Sequence, residues 1–590
     1  MFRFPDDDTP FVLLDDARIE GAVPARLYVG PVEIIATRRT TEVPAALEAV
    51  RVATRGGLHA AGYLAYEAGY ALEPRLTELV PQRADRPLVW FGLFRDFATI
   101  ASDAVAALLP DAAGAWIGSP QPAIARAAYD AALSQVQALI AAGDLYQANL
   151  TFAAAVATQG HPLALYAGLR ARARAGYGGI VRTEDDWLLS LSPELFFATD
   201  GVRIRTRPMK GTAVRIADPG ADAAAITALQ ADEKQRAENL MIVDLLRNDL
   251  SRIARPGSVA VPELFVIESF PTVHQMTSTV TADLAEGRDA IDVLTALYPC
   301  GSITGAPKIR AMEAIRTIEA GPRGVYTGSI GRIDAGGTSA AFNVAIRTLA
   351  MGVDGAQLGL GSGIVADSQA DSEWQECLAK GAFLASDRRF DLIETMAFDP
   401  FHGIARLDAH MARVRASAAA FGFRFNRHAA RNELQAATFR LTQPSRVRLV
   451  LAPSGAIAIA TSPAPDAPTG RIDIAVMPLP VPPHDFRLRH KTTDRRFYDE
   501  ARRATGAFEV IFTDAQRRLT EGSFTNVFVE RDDVLLTPPL ALGLLGGVLR
   551  DTLIENGVAR EAELTAADLL EGFLIGNSLR GLLPAKLAGL

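Results

Sequence analysis

The sequence predicts an α/β fold spread over several domains. Three observations carry that expectation. The chain has 590 residues, and single cores stop growing at about 250–300 residues. Strand-like apolar runs alternate with helical periodicities along most of its length. Two stretches dense in Pro, Gly and Ala, Pro110–Pro122 and Ser462–Gly470, interrupt that alternation as connections would.

Taken in order, residues 1–110 set the strand-like runs Phe11–Leu14 and Leu88–Phe94 around a helical Ala45–Arg55. A helix is expected from Ala123 to Ala142, with Gly143 as its stop. Residues 123–385 then alternate long helices with β-rich runs such as Trp187–Leu191 and Phe342–Leu349. Asp232–Leu250 and Asp371–Leu384 are the best-defined helices of this region. The chain continues into SDRRFDLIETM without a spacer, so a domain of residues 386–590 follows tightly. The Ser462–Gly470 break divides that domain into a smaller and a larger lobe, because residues before Pro are pushed out of the helical basin.

Apolar residues make up 49% and charged residues 22%, an ordinary globular balance. The net charge of −8 argues against nucleic acid as a partner. It does not exclude a small anionic substrate, since a local Arg/Lys cluster overrides a global sign. Two cysteines and eight histidines cannot supply a disulfide framework or a zinc-ligand spacing. Low cysteine use fits a reducing compartment. The opening MFRFPDDDTP has no apolar signal-peptide region. No apolar run reaches the roughly 18 residues needed to cross a bilayer. The expected location is cytoplasmic, with no membrane partner.

Glu373 and Glu376 sit three apart, and Lys380 lies four beyond Glu376, so the three share a helix face. A second helix carries Glu238. Two helices that each offer a carboxylate could hold Mg²⁺, which accepts one or two carboxylates plus water and substrate oxygens. Two Gly-rich loops, Cys300–Lys308 and Gly361–Val365, allow close backbone approach to a ligand. Singly, each of these is a surface ion pair or a turn.

As an ordered set they resemble the chorismate-utilising enzyme family, which includes anthranilate synthase component I, aminodeoxychorismate synthase component I, isochorismate synthase and salicylate synthase. The matching strings are GDLYQANLT, SPELFF, TRPMKGT, DEKQRAENLMIVDLLRNDL, VHQM, GSITGAPK, PRGVYTGSIG, FNVAIRT and GSGIVADSQADSEWQECLAK, over about residues 123–385. The resemblance implies an α/β sandwich built on large antiparallel sheets. It implies Mg²⁺ between Glu238 and Glu376 with Glu373 nearby, and chorismate as substrate. Arg347 and Tyr326 would hold the enolpyruvyl carboxylate; an Arg fork suits bidentate carboxylate binding. Lys380, the backbone of Gly361, Ser362 and Gly363, and that of Thr304, Gly305 and Ala306 would contact carboxylates. His274 would line the pocket near the departing hydroxyl.

Within the family, Lys210 in PMKGT resembles the aminodeoxychorismate synthases, whereas anthranilate synthases look like Ala at this place. A buried, neutral Lys can attack ring carbon C2 and expel the C4 hydroxyl. Ammonia then enters at C4, para to the carboxylate. Glu194 in SPELF is the natural general acid for the leaving hydroxyl. Isochorismate and salicylate synthases look like they carry a water-activating Lys at Gln147; Gln cannot act as that base, which favours ammonia over water.

Residues 386–590 offer a second set. Lys491 in HKTTDRRFY is a Schiff-base candidate. Glu521 in LTEGSFTNVF could pair with a protonated pyridine nitrogen. Arg413 lies on a helix, and GLLGGVLR opens a helix whose first amides could bind phosphate. Together with FDLIETM and GNSLRG these resemble the fold type IV pyridoxal-phosphate (PLP) family: branched-chain aminotransferase, D-amino-acid aminotransferase and aminodeoxychorismate lyase. The resemblance implies a two-lobed domain with Lys491 bound to PLP and Glu521 at the ring nitrogen. It counts Asn526, in the matching LTEGSFTN string, among the cofactor-binding residues, and puts Arg413 with the Gly547 and Val548 amides at the phosphate. Leu549 departs from the Thr that many relatives look like they carry. Fold type IV relatives are commonly dimers, so a homodimer through this domain is implied.

The combination reads as a bifunctional route to 4-aminobenzoate: amination of chorismate, then elimination of pyruvate. The alternatives are an aminase joined to a D- or branched-chain amino-acid aminotransferase, or to an inactive PLP-fold module. LLDDAR, Leu13–Arg18, resembles the family's tryptophan-binding segment only loosely. Neither Cys300 nor Cys377 sits in the Gly-x-Cys-x-Gly elbow of a glutaminase nucleophile. Ammonia is therefore expected from a separate glutamine amidotransferase subunit.

Overall fold

The computed structural model describes residues 4–5, 8–79, 83–270, 273–384 and 389–588. The domain boundary expected at 385/386 lies outside the described residues. The chain divides into two units. Met1–Leu109, Ser119–Val156 and Tyr166–Ala385 form the first; Pro110–Gly118, Ala157–Leu165 and Ser386–Leu590 form the second. The stretch expected as a plain connector is thus structured. Its Trp116–Ile117 strand pairs with Thr158–Gln159, and Gln121–Pro122 pairs with the long strand Gln147–Val156.

The first unit is built on two ten-stranded sheets. One runs Gly305–Ala306, Gln147–Val156, Gly355–Ile364, Thr348–Gly352, Trp187–Ser192, Tyr177–Arg182, Phe11–Asp15, Ala25–Val29 and Ala98–Ile100. The other includes Met209–Val214, Val273–Asp283, Arg203–Arg207, Leu195–Asp200 and Ser339–Asn343. Adjacent strands within both are antiparallel, for example Gly355–Ile364 on Gln147–Val156 and Leu195–Asp200 on Ser339–Asn343. Alternate residues of the two sheets meet in one buried cluster: Val12, Tyr28 and Leu188 from the first against Tyr63, Trp90 and Ile330 from the second. Helices cover the outer faces. Val43–Arg55, Glu233–Ser251 and Ala290–Leu297 pack on Phe91, Phe197 and Phe342. Tyr129, Phe152 and Trp374 join helices Arg126–Ala141 and Ala370–Gly381 to the opposite sheet, with ring centroids 5.1–5.7 Å apart.

Local chemistry sets the helix ends. Asp232 caps Glu233–Ser251 by accepting from Gln235 N–H at 3.0 Å. The helix expected from Ala123 begins at Arg126, because Ala125 is extended; Gly143 follows its end at φ +81. The run Phe342–Leu349, expected as one strand, is two. Ser339–Asn343 lies in one sheet and Thr348–Gly352 in the other, with Arg347 at φ +49 in the crossing.

The second unit has two lobes. In the smaller, a four-stranded sheet including Leu392–Asp399, Ser445–Leu451 and Ile457–Pro463 packs on helices Leu407–Phe421 and Arg427–Thr438 through Met396, Met411, Val414 and Leu449. In the larger, an eight-stranded mixed sheet sets Ile472–Pro478 parallel to both Glu509–Thr513 and Gly581–Leu587. Of the Pro-rich Ser462–Gly470 stretch, Ser462 and Pro463 end the strand Ile457–Pro463, and the residues after them connect the two lobes. Among the described residues no helix is long and apolar enough to cross a membrane.

Candidate active sites

Lys210 lies on Met209–Val214, where the register against Val273–Asp283 shifts between Met209 and Thr212. Such irregularities re-aim side chains. A Cβ built on Gly363 would stand 2.8 Å from Lys210 Nζ, 2.7 Å from Gln147 Nε2 and 3.1 Å from Asn149 Oδ1. Three polar groups therefore converge over a glycine. Gln147 and Asn149 share one strand face. Both ends of the Gln147 amide and Asn149 Oδ1 are buried without a protein partner, which marks where a polar ligand fits.

Burial lowers the proton affinity of Lys210, and the charge of Lys380 adds to this against Glu238, Glu376 and Glu194. Glu194 is 3% exposed. Burial pushes its carboxyl up to about 7, although Ser302 and Lys210 oppose the rise. Ser302 Oγ donates to Glu194 Oε1 at 2.7 Å. The pocket thus shifts both groups toward their uncharged forms.

Glu238 and Glu376 approach from two helices. Burial raises the Glu238 carboxyl, and the charge of Glu376 contributes. Burial also pushes Glu376 up, but Lys380, Lys210 and Lys234 outweigh it and hold it below its ordinary value. Lys380 Nζ bridges Glu376 Oε1 at 2.7 Å and Gly361 O at 3.0 Å. Glu373, expected nearby, acts on Glu238 through its charge and accepts from Ser368 Oγ at 2.7 Å. Among the described residues no group of three or more His, Cys, Asp and Glu is placed to hold a metal. A pair of carboxylates still fits Mg²⁺, which fills its shell with water and substrate oxygens. Glu238 and Glu376 are the pair that would fit it; Glu373, whose charge also reaches Glu238, is hydrogen-bonded to Ser368.

Arg347 sits at φ +49, and burial alone lowers its proton affinity. Among the described residues no carboxylate pairs with its guanidinium, which leaves the fork open to an anion. Tyr326 lies over Gly359, where a Cβ would stand 2.0 Å from its ring. The Thr304 hydroxyl is spent on its own turn, 3.2 Å from Cys300 O and Gly301 O. Gly305–Ala306 pairs with Gln147–Ala148, and a Cβ on Gly305 would stand 2.3 Å from Gln147 O. Ser362 points to the strand face opposite Gly361 and Gly363, toward Tyr129 and Cys377; only its backbone can face the pocket.

His274 corrects an expectation. Its Nδ1 pairs with Ser269 Oγ at 2.8 Å and its Nε2 with Asp222 Oδ1 at 2.9 Å. With both nitrogens engaged, the ring braces helix Pro219–Ala231 on the sheet and has none left for a departing hydroxyl. Arg323 was missed, although it stands in the PRGVYTG string. It is enclosed by Glu319 at 2.7 Å and donates to Ile303 O at 2.9 Å and Asn149 O at 2.8 Å. It thereby fixes the strand that carries Gln147 and Asn149.

In the second unit, burial and the charge of Arg413 bring the Lys491 amine down to about 7. Glu521 is 3% exposed and pushed up to about 7 by burial. It accepts from the Tyr498 hydroxyl and from Leu545 N–H at 3.1 Å. Arg413, expected at the phosphate, is also paired with a carboxylate. Its Nε and Nη2 make a bidentate pair with Glu394 at 2.8 and 2.7 Å, and its Nη1 donates to Gly546 O at 2.9 Å. Glu394 also takes His410 Nδ1 at 2.6 Å, and His410 Nε2 meets Ser578 Oγ at 2.8 Å. Burial would raise Glu394; Arg413 and His410 outweigh it and hold the carboxyl well below the usual range. Gly547 caps helix Val548–Glu555, and a Cβ on it would stand 1.8 Å from Asn526 Oδ1. Asn526 Nδ2 donates to Leu545 O at 3.2 Å. A lysine with a readily lost proton, a buried carboxyl and a helix start beside an Arg fit the aldehyde, ring nitrogen and phosphate of PLP.

Comparison with known proteins finds a family for each of two long stretches of the chain. Residues 9–386 match the chorismate binding enzyme family, and residues 391–588 match amino-transferase class IV. Aminodeoxychorismate synthase component 1 of Salmonella typhimurium is 44% identical over 260 residues, which is 44% of this chain and 57% of that protein. Anthranilate synthase component 1 of Streptomyces coelicolor is 36% identical over 375 residues, 56% of this chain and 72% of that one. The crystal structure of anthranilate synthase component I from Streptococcus pneumoniae superposes with a TM-score of 0.53 at 25% identity, covering 62% of this chain and 93% of that chain. The chain spans 57% of the length of the Salmonella relative. By the extent of the match over its first unit, the chain belongs to the chorismate binding enzyme family and carries an amino-transferase class IV region behind it.

Proposed function

We propose that the chain makes 4-aminobenzoate from chorismate, one step in each unit. The observation that carries this reading is Lys210: an amine of lowered proton affinity whose charge is coupled to Glu194, a carboxyl raised to about 7. The Lys210 nitrogen attacks ring carbon C2, the double bonds shift, and the C4–O bond breaks. Glu194 gives its proton to the departing hydroxyl, which leaves as water. Ammonia then adds at C4, the electrons shift back, and the C2–N bond breaks. Lys210 leaves as the free amine, and the surplus proton of the entering ammonia returns to Glu194. Arg347 and Tyr326 would hold the enolpyruvyl carboxylate, and the backbone about Gly361, Gly363 and Gly305 would leave room for the ring. Mg²⁺ held by Glu238 and Glu376 would neutralise the ring carboxylate.

The second unit would then release pyruvate and aromatise the ring. When bound there, PLP would supply an electron sink. Lys491, at about 7, can both take and return a proton near neutrality. Glu521 would face the ring nitrogen, and Arg413 with the Gly547 and Val548 amides would face the phosphate. Ammonia would come from a separate glutaminase. Burial pushes the Cys300 thiol up to about 12 and raises that of Cys377, so neither is a ready nucleophile. The test supplies pure protein with chorismate, Mg²⁺, PLP and ammonium. 4-Aminobenzoate should form, and glutamine alone should not replace ammonium. Accumulation of 4-amino-4-deoxychorismate without 4-aminobenzoate would sink the lyase step; anthranilate as the main product would sink the first.

A further inference from the structure

Two pieces of chain that precede the second unit by more than 200 positions nevertheless group with it: Pro110–Gly118 and Ala157–Leu165. They pair as a ribbon, Trp116 opposite Gln159 and Ile117 opposite Thr158. Gly118 N–H closes it by donating to Ala157 O at 2.8 Å. Gly160 turns at φ +90, and a Cβ on it would stand 2.4 Å from Gly114 O, so a glycine is needed there. Trp116, partly buried, packs edge-on against Phe421 at 5.0 Å and Phe390 at 6.4 Å, on the core of the smaller lobe.

The ribbon also brings a polar group. Gln159 Nε2 donates to Ala420 O at 3.4 Å, which orients its Oε1 toward His490 Nε2 at 3.3 Å. A carbonyl oxygen only accepts, so His490 carries its hydrogen on Nε2, and its Nδ1 takes the Ser417 hydroxyl at 3.0 Å. Burial and Arg489 press the proton affinity of His490 down to about 4, so the ring stays neutral.

We propose that this ribbon is a working part of the second unit and that Gln159 is a positioning residue, setting Lys491 through His490. The inference rests on Lys491 being the lysine that holds the cofactor. His490 directly precedes Lys491. On the other side, Lys491 O accepts from Ile393 N–H at 2.9 Å, and Thr492 bridges to Leu392. The peptide is thus held from both sides, and the place of the amine among its charged neighbours follows. Those neighbours are Arg413 on Leu407–Phe421, Glu394 on Leu392–Asp399, Arg448 on Ser445–Leu451, and Arg495. The charged group acting on the His490 ring is Arg489.

The test uses the full chain loaded with PLP and follows the pH midpoint of its visible absorption band. Gln159→Leu should move the midpoint by roughly half a pH unit or more, the scale of one lost hydrogen bond. It should lower kcat of the second step several-fold with KM nearly unchanged. Gln159→Glu keeps an acceptor and should lie closer to the parent. If the leucine variant does not load cofactor, Ser417→Ala frees the same ring from its other side and should give the same shift. An unmoved midpoint and kcat in a loaded variant would overturn the proposal. A visible band that survives Lys491→Ala overturns the underlying assignment instead, so the two failures are told apart.

Discussion

Lys210 and Lys491 are both buried amines of lowered proton affinity, one in each unit, and they reach that state in opposite electrical surroundings. Lys210 has three carboxylates about it, Glu194, Glu238 and Glu376, with Lys380 as the opposing charge. Lys491 has three guanidiniums, Arg413, Arg495 and Arg448, with Glu394 as the single carboxylate. Burial leads in both. What differs is what the remaining charge can serve: an acidic ring suits a metal ion and the protonation of a leaving group, while a cationic ring suits a phosphate-bearing cofactor and a substrate with carboxylates. Exchanging the two lysines' roles would be impossible without exchanging their neighbours.

The largest effects should come from the lysines. Lys210→Ala should cut formation of the 4-amino product by roughly 10³-fold or more while leaving the second step on supplied 4-amino-4-deoxychorismate intact. Lys491→Ala should do the reverse, abolishing borohydride fixation of PLP while amination continues. A peptide map that finds the cofactor on another lysine would break the comparison.

Glu194→Gln should slow amination by about 10²–10⁴-fold. It should also reshape the pH profile. The parent carboxyl, at about 7, is loaded with its proton below that value and loses it above, so the parent rate should fall as pH rises through neutrality. The glutamine variant should lack that limb; retention of the limb would assign it to another group.

Glu394→Gln should weaken PLP retention and destabilise the second unit by about 3–5 kcal/mol, because it leaves Arg413 buried without its counter-charge. The Glu394 carboxyl lies below its ordinary value of 4.5. The stabilisation by the pair is therefore complete above that pH and fades as pH falls toward the folded value. Thermal unfolding at two pH values checks this. The smallest effect should be that of His274→Gln. Loss of the Asp222 and Ser269 bonds should cost about 1–3 kcal/mol, with the position of the new amino group unchanged. A change from the 4-amino to the 2-amino product would return His274 to the pocket.

The candidate groups were legible where they stand in local strings. Lys210, Glu194, Glu238 and Glu376 stand in short strings, and strand alternation puts Gln147 and Asn149 on one face. What the sequence hid depends on distant pairing. His274 reads as a pocket residue until Asp222, 52 positions away, takes its Nε2. Arg413 reads as a phosphate ligand, and nothing near it in the chain shows that Glu394, 19 positions before it, pairs with it. The layered α/β architecture could be read from alternation. The crossing at Arg347 could not, because nothing in FNVAIRT says that one apolar run serves two sheets.

The ribbon that carries Trp116 has a temporal consequence. A chain emerges from the ribosome in order, and Trp116 appears about 300 residues before Phe421, the ring it packs against; at roughly 5–20 residues per second that is a wait of roughly 15–60 s. During that interval the surrounding first-unit segments can settle, while an indole and its glycine-bounded strand stay without their core. A nascent chain should therefore hold an apolar segment open midway through its own synthesis, and a gene cut before residue 386 would leave that segment permanently unburied.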